Sequence, residues 1–341
     1  MVALTQQAAR RWLEAQRVDL AVELSQLSLR IAARALFGAE LAHQAAPIGR
    51  ALTAALTLLD RRLNRLLPLP LWVPSPDNLR LRRARAVLEG AVRELIAQRQ
   101  RAPAAGAPPD LLGRLRQAQR APAAGTDAPR LGRRALRDEV LTMLLAGHET
   151  TAHGLLFALW LLARHPEVEQ RLHAEVERVL GGRPASGPDA ARLELCQQVF
   201  QEALRLYPPV WLTTRQAAED VVLGGRVRIR RREVVGLPQW VVHRDPRWWP
   251  EPLAFRPERF AREAPRPAPW TYFPFGGGRR ACIGRSFALL EGTVVLATLS
   301  QQVRFEIDTR RPLHLLPAVT LRPAGGLPAA VRRAGSPARC S

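Results

Sequence analysis

One cysteine stands in a setting suited to metal chemistry. The run Tyr272-Phe-Pro-Phe-Gly-Gly-Gly-Arg-Arg-Ala-Cys-Ile-Gly-Arg-Ser-Phe-Ala288 is a Gly-rich loop leading into an apolar helical stretch. Gly276, Gly277 and Gly278 carry no Cβ and tolerate positive φ, so a flat, bulky ligand can lie close to the backbone. Gly284 offers the same freedom after Cys282. A helix starting near Arg285 or Ser286 turns its unpaired N–H groups back toward Cys282, a field that suits an anionic sulfur. Such a sulfur in a dry slot is a soft, electron-rich ligand for iron. A buried structural cysteine in a Gly-rich turn is the plain alternative.

A second chemical segment is Ala146-Gly-His-Glu-Thr-Thr-Ala152, in the middle of a long apolar run. Gly147 and Ala146 leave room beside a helix for a small ligand. Thr150 can turn its hydroxyl to the carbonyl of Ala146, loosening the ladder and leaving a notch. Glu149 is expected beside that notch as a proton source, with Thr150 able to relay protons. The alternative is a solvent-facing Glu with two helix-bending threonines. His148 is expected to pack or hydrogen-bond between helices.

A third feature is Glu202-Ala-Leu-Arg205, an acid and a base at i and i+3 on one helix face. Their surroundings, Val199-Phe200 and Leu204…Leu206-Tyr207, are apolar. Buried charges cost several kcal/mol each unless fully paired, so a third partner is expected. Pro257-Glu-Arg-Phe260 supplies one in Arg259.

Together these segments resemble the cytochrome P450 family. Phe275, Gly278, Arg280, Cys282 and Gly284 fit the pattern FxxGxRxCxG of its haem-binding loop. Ala146–Ala152 is similar to its oxygen-binding helix, and Glu202/Arg205 with Pro257–Phe260 to its ExxR and PERF elements. The resemblance implies a mainly α fold with small β-sheets and haem (iron protoporphyrin IX) ligated by the metal ligand Cys282. It implies a monooxygenase that uses O2 and inserts one oxygen atom into an apolar organic substrate, with Thr150 and Glu149 catalytic. NAD(P)H electrons would arrive through separate proteins, a ferredoxin or flavodoxin with its reductase. Arg280 and Arg215 would meet the haem propionates. Phe275 would pack over the sulfur side, Met143 and Ala146 would face substrate, and Pro209, Val210 and Leu212 would touch it. His243-Arg-Asp-Pro246 and Trp248-Trp-Pro250 also match the family, as packing and loop fixation. The same scaffold running peroxide-driven or isomerase chemistry, and a remnant without turnover, remain alternatives.

The elements that must position these residues are mostly helical. Periodicity predicts helices over residues 5–38, 46–67, 77–101, 110–119, 133–164, 167–180, 190–206 and 286–303. The helix 133–164 would run about 45 Å at 1.5 Å per residue. Strands are expected at Val221–Leu223, Val227–Ile229 and Val234–Leu237, with further strand-like pieces in 304–333 around Gly325-Gly326. One domain is expected: a helical region 1–132, then 133–210 with the two chemical helices. The strands and meander would fill 211–274, and the cysteine loop, final helix and tail strands 275–333. The family's Trp-x-x-x-Arg propionate clamp is not matched, because Trp12 is followed at that spacing by Gln16. The chain therefore reads as N-terminally truncated, with sheet edges left unpaired and the haem pocket opened to water.

Composition sets further bounds. The 341 residues are 47% hydrophobic, enough for a sizeable core. Lys+Arg is 51 against Asp+Glu 30, a net charge of +21, and every basic residue is arginine. The arginines are scattered over all segments and no nucleic-acid-binding motif accompanies them, which argues against a nucleic-acid partner. A positive face toward an acidic electron-transfer protein fits better. Cys196, Cys282 and Cys340 are too far apart in sequence to suggest a disulfide framework. With no signal peptide and no uninterrupted apolar span, the expectation is a cytoplasmic monomer.

Overall fold

The computed structural model describes residues 1–41, 44–63, 65, 67–101, 110–120 and 132–335. The proline-rich stretch expected as loop over 102–129 lies largely outside these residues, as does Cys340. Ten helices and nine short strands occur among the described residues. In order they run α1 (Val2–Ala15), β1 (Arg17–Asp19), α2 (Leu20–Phe37), α3 (Ala45–Leu63), α4 (Pro76–Arg101), α5 (Leu111–Arg120), α6 (Arg133–Arg164), α7 (Pro166–Leu180) and α8 (Glu194–Leu206). Then follow β2 (Thr213–Gln216), β3 (Val221–Leu223), β4 (Val227–Ile229), β5 (Val234–Leu237), a one-turn α9 (Gln239–Val242) and α10 (Arg285–Gln302). The tail adds β6 (Val303–Ile307), β7 (Leu315–Pro317), β8 (Leu321–Pro323) and β9 (Pro328–Arg333). These strands pair antiparallel: β1-β9-β6 in one sheet, and β2-β5, β3-β4 and β7-β8 as two-stranded ribbons.

Two apolar clusters hold the molecule together. The larger joins α1, α2, the second half of α6, α7, α8, α10 and the tail strands around Phe157, Phe200, Leu204 and Val295. The smaller joins α2 to α5 and the first half of α6 around Phe37, Leu52, Val92 and Leu144. From Thr151 to Leu162, α6 is buried on every side, as a helix through the middle of a core must be.

The expectation of one helix over 5–38 is corrected. The chain breaks at Gln16, which adopts a left-handed φ of 59°, and Arg17–Asp19 pairs with Pro328–Ala330. A Gln at a left-handed stop carries no sequence signal, unlike the Gly that usually marks one. The restart is better marked. Asp19 caps α2 by accepting from the Ala21 N–H at 2.9 Å and also accepts from the Leu327 N–H at 2.9 Å. A side chain at Gly326 would lie 2.1 Å from the Asp19 carboxylate, so glycine is required there. The helix expected over 190–206 also divides, into a 3-10 turn Pro188–Ala191 and α8. Buried Glu175 of α7 supplies the α8 cap by accepting from the Leu195 and Cys196 N–H groups.

The acid–base pair expected on α8 forms the lock between helices and meander. Arg205 and Glu202 are both fully buried and meet in a two-bond fork, Nε to Oε2 and Nη2 to Oε1, each 2.7 Å. The remaining guanidinium protons go to the carbonyls of His243, Pro252 and Ala254 at 2.7–3.1 Å. Glu202 also accepts from the Arg256 N–H at 3.0 Å. Arg259 stands where expected, its Nε 3.4 Å from Glu202. The contact is ionic, since among the described residues that N–H makes no hydrogen bond, while Nη2 donates to the Glu251 carbonyl at 2.9 Å. Glu202→Ala leaves a buried guanidinium half unpaired and should lower the unfolding free energy by about 3–5 kcal/mol. A shift in urea midpoint worth less than about 1 kcal/mol would show that the pair is dispensable.

A second buried carboxyl behaves differently. Glu291 of α10 is fully buried, and among the described residues neither of its oxygens has a hydrogen-bond partner within bonding geometry. Burial pushes its carboxyl up to about 8. The folded state therefore keeps a proton that the unfolded chain loses above the usual carboxylate range. Stability from this group is full below that range and is lost as pH rises toward 8, at about 1.4 kcal/mol per pH unit. Burial shifts the histidines the other way, His148 to about 4 and His153 and His243 to about 3. Their cost grows only as pH falls below the ordinary histidine range, so they do not act between about 6.5 and 8. Urea melts across that window should show Glu291→Gln removing a downward slope. Equal slopes in the two proteins would contradict a protonated Glu291.

Candidate active site

The lock continues into the cysteine loop. The His243 carbonyl binds Arg205, and its Nε2 accepts from the Phe273 N–H at 2.9 Å. Tyr272 donates to the Gln201 carbonyl on α8 at 3.0 Å. The chain then turns through Gly276 and Gly278, at φ of 66° and 65°, which only glycine adopts without strain. Gly277 has a different reason to be glycine: a Cβ there would lie 2.2 Å from the Trp270 ring. Gly284 is a correction, because its φ of −86° is ordinary and it serves as the N-cap residue of α10. The Cys282 N–H donates to the Phe275 carbonyl at 2.8 Å, closing the loop beneath the side chain.

Cys282 lines a largely apolar cavity of about 480 Å³. Phe275, Arg280, Ile283 and Gly284 accompany it on one side; Gly278 does not reach the wall. Opposite stand Met143, Ala146, Gly147, Thr150 and Thr151 of α6. The cysteine loop and the middle of the long helix, far apart in sequence, thus face one space. Pro209 and Val210 also line it, as expected, whereas Leu212 lies against Gly236 instead. The Thr150 hydroxyl donates to the Ala146 carbonyl at 2.8 Å, the back-bond expected of it. The helix runs unbroken through that point, so the threonine redirects one carbonyl without opening a turn.

Glu149 takes a different place from the one expected. It is buried on another flank of α6, outside the cavity wall, near Thr320 and Arg322 of the β7–β8 ribbon. Burial raises its carboxyl, while the Arg322 charge and the Thr320 hydroxyl pull it down. His148 packs in the interior as expected, and its Nδ1 meets the Leu144 carbonyl of its own helix at 3.2 Å. Burial keeps it neutral.

Arg215 on β2 and Arg280 in the loop both reach the cavity, and among the described residues neither has a carboxylate partner. Two unpaired guanidiniums at the edge of an apolar cavity suit a ligand that is flat, greasy and anionic at one margin. Gln239 was not expected. It is buried, donates from Nε2 to the Thr213 hydroxyl, and its Oε1 has no hydrogen-bond partner among the described residues. A glutamine just after a strand carries no signal of this kind, and only the pairing of β2 with β5 brings it to the cavity. No cluster of three His, Cys, Asp or Glu side chains able to hold a metal occurs among the described residues.

Known proteins resemble this chain along much of its length. The family model described as Cytochrome P450 matches residues 2–326. Cyclooctatin synthase of Streptomyces melanosporofaciens is 38% identical over 314 residues, covering 92% of this chain and 65% of that protein. Cyclooctat-9-en-7-ol 5-monooxygenase of the same organism is 35% identical, covering 88% of this chain and 64% of that one. A protein described as cytochrome P450 132, from Mycobacterium tuberculosis, is 41% identical over 204 residues, 59% of this chain and 43% of its own length. The chain thus spans between 43% and 65% of the length of these relatives. A crystal structure of the cytochrome P450DA heme domain superposes with a TM-score of 0.83 at 29% identity, covering 96% of this chain and 71% of that one. The helical order, the cysteine loop and this agreement along nearly the whole chain lead to one conclusion: the protein belongs to the cytochrome P450 family.

Proposed function

We propose that the protein is a haem-thiolate monooxygenase and that the cavity between Cys282 and α6 is its haem and substrate site. The observation that carries the reading is the shared cavity: a cysteine on a glycine-shaped loop facing a helix that presents Ala146, Gly147 and Thr150. The residues present suit haem. Cys282 offers sulfur at an apolar wall, Gly276 lets backbone approach a flat ring, and Arg215 and Arg280 hold uncommitted charge for two propionates. The unpaired Oε1 of buried Gln239 would accept a hydrogen bond from an ordered water or a bound group. Haem held by a cysteine thiolate supplies O2 activation at iron, the thiolate favouring O–O cleavage.

The chain's own part is to place substrate, exclude water and deliver protons. Leu36, Leu111, Met143, Pro209 and Val210 form an apolar wall without a charged group. That supports a hydrophobic organic substrate, of the kind named in the cyclooctat-9-en-7-ol 5-monooxygenase relative. Thr150 would hold a proton at its hydroxyl, one turn from the Ala146 carbonyl it now occupies. Glu149 would resupply that proton from the flank of the helix. Its burial raises the carboxyl, so more of it is protonated near neutral pH than for an exposed glutamate. Electrons from NAD(P)H would come through a ferredoxin or flavodoxin and its reductase, docking at the cysteine face. Arg279, Arg285 and Ile283 are exposed there for an acidic partner.

The purified protein should take up haem, and its reduced CO complex should show the red-shifted Soret band of thiolate ligation. Cys282→Ser should abolish that band; a band unchanged in the serine variant would overturn the reading. Thr150→Ala should keep the band and slow product formation by about tenfold or more while reducing equivalents are diverted to hydrogen peroxide. Unchanged coupling would remove Thr150 from the proton route.

A further inference from the structure

A second cleft, of about 610 Å³, opens where the ends of α6 and α8 meet α9 and the segment between β6 and β7. Its lining shares no residue with the cysteine cavity. Trp160, Tyr207 and Trp240 give it an aromatic floor. The Trp160–Tyr207 and Tyr207–Trp240 ring centroids are 5.9 and 6.0 Å apart, edge to face, and buried Phe157 stacks on Tyr207 at 4.9 Å. Leu206, Leu253, Pro312, Leu313 and Leu315 add apolar walls. The volume falls in the range of small organic ligand sites, roughly 300–1,000 Å³.

Charge lies on this floor. Arg164 sits 4.7 Å over the Trp160 ring, and Arg244 sits 3.3 Å over Trp240 and 5.4 Å from Tyr207. Arg310 and Arg311 stand exposed at the rim, where both turn to the one carboxylate of Asp308, at 3.2 and 3.5 Å. No acidic residue lines the cleft itself. Exposed arginines alone mean little in a chain with 51 basic residues. Arg244 differs, because it is half-buried and among the described residues has no carboxylate partner. One of its N–H groups is spent, on the Trp240 carbonyl at 3.2 Å. Burial pulls Arg244 down to about 10, so it remains charged at neutral pH with that cost uncompensated. Arg205, more deeply buried, meets the same cost with five protein bonds. Arg244 has kept most of its donors for something else.

From this we infer that the cleft is a second ligand site, for a small amphipathic organic carboxylate. The carboxylate would accept from the unspent N–H groups of Arg244, with Arg164 adding charge beside it. The apolar body would lie along Leu206, Leu253 and Leu313. A neutral ligand would leave the Arg244 charge uncompensated, and a bare inorganic anion would leave the apolar walls uncovered. The inference does not rest on the haem reading, since neither Arg244 nor Arg164 lines the cysteine cavity.

The probe is 4-benzoylbenzoate, an amphipathic carboxylate that labels its neighbours on irradiation. In equilibrium dialysis the full 341-residue protein should bind it saturably at physiological salt, which screens the general charge of +21. Neutral 4-methylbenzophenone should bind about tenfold more weakly or worse. Arg244→Gln should weaken binding of the carboxylate about tenfold or more, and Arg164→Gln about threefold. Arg164 is exposed at the end of α6, so its replacement reads the cleft even where Arg244→Gln disturbs the fold. Arg215→Gln, at the cysteine cavity, should bind as the unaltered protein does. Irradiation should label residues 240–253 or 309–315. Absence of saturable binding, equal affinity for the neutral compound, or undiminished binding by Arg164→Gln would overturn the inference. Labels confined to residues 272–288 would also overturn it, by placing the carboxylate in the cysteine cavity.

Discussion

The structure depends on a guanidinium that has no water. Arg205 is fully buried on α8 and spends all five of its N–H groups, two on Glu202 and three on carbonyls of the following meander. A buried arginine left short of partners would cost several kcal/mol, so the chain from His243 to Ala254 is held to one course. That course sets where the cysteine loop begins. His243 gives its carbonyl to Arg205 and its ring nitrogen to the Phe273 N–H, and Tyr272 hangs from α8. The start of the cysteine loop is thereby fixed relative to α8. The pairing is structural in origin and chemical in effect.

The long helix α6 divides its labour by face. One face is stripped to Ala146, Gly147 and Thr150 and borders the cavity. Another carries His148, Glu149 and His153 into protein, where burial disfavours every charge they could bear. A helix can hold both faces at a single turn because successive residues point about 100° apart. Glu149 and Thr150 are neighbours in sequence and yet look in different directions. Adjacency in sequence suggested a shared notch, and helical geometry separates the two groups.

Much of this was legible in the sequence. The strands at 221–223, 227–229 and 234–237 and the helix 133–164 fall where periodicity put them, because turn glycines and a terminal His165-Pro166 mark their ends. The Glu202–Arg205–Arg259 network was legible too, since an acid and a base in an apolar helix demand partners. The strand at 17–19 was not. Three residues are too few to show a period, and their strand character exists only through pairing with the far end of the chain. Gly284 was given a conformational role that its φ does not require. Gln239 went unnoticed, because its place at the cavity depends on the β2–β5 ribbon.

By itself, then, the sequence determined the kinds of chemistry available: one sulfur on a glycine-shaped loop, one threonine in an apolar helix, and one buried ion pair with a third partner to come. These are local facts, set by residue type and by spacings of a few positions. The tertiary structure decided which of them share a space. It brought Cys282 to Thr150 and turned Glu149 toward Arg322. The reason is physical: contacts between elements far apart in the chain arise from burying apolar faces and satisfying buried charges together, and no short stretch of sequence carries that information.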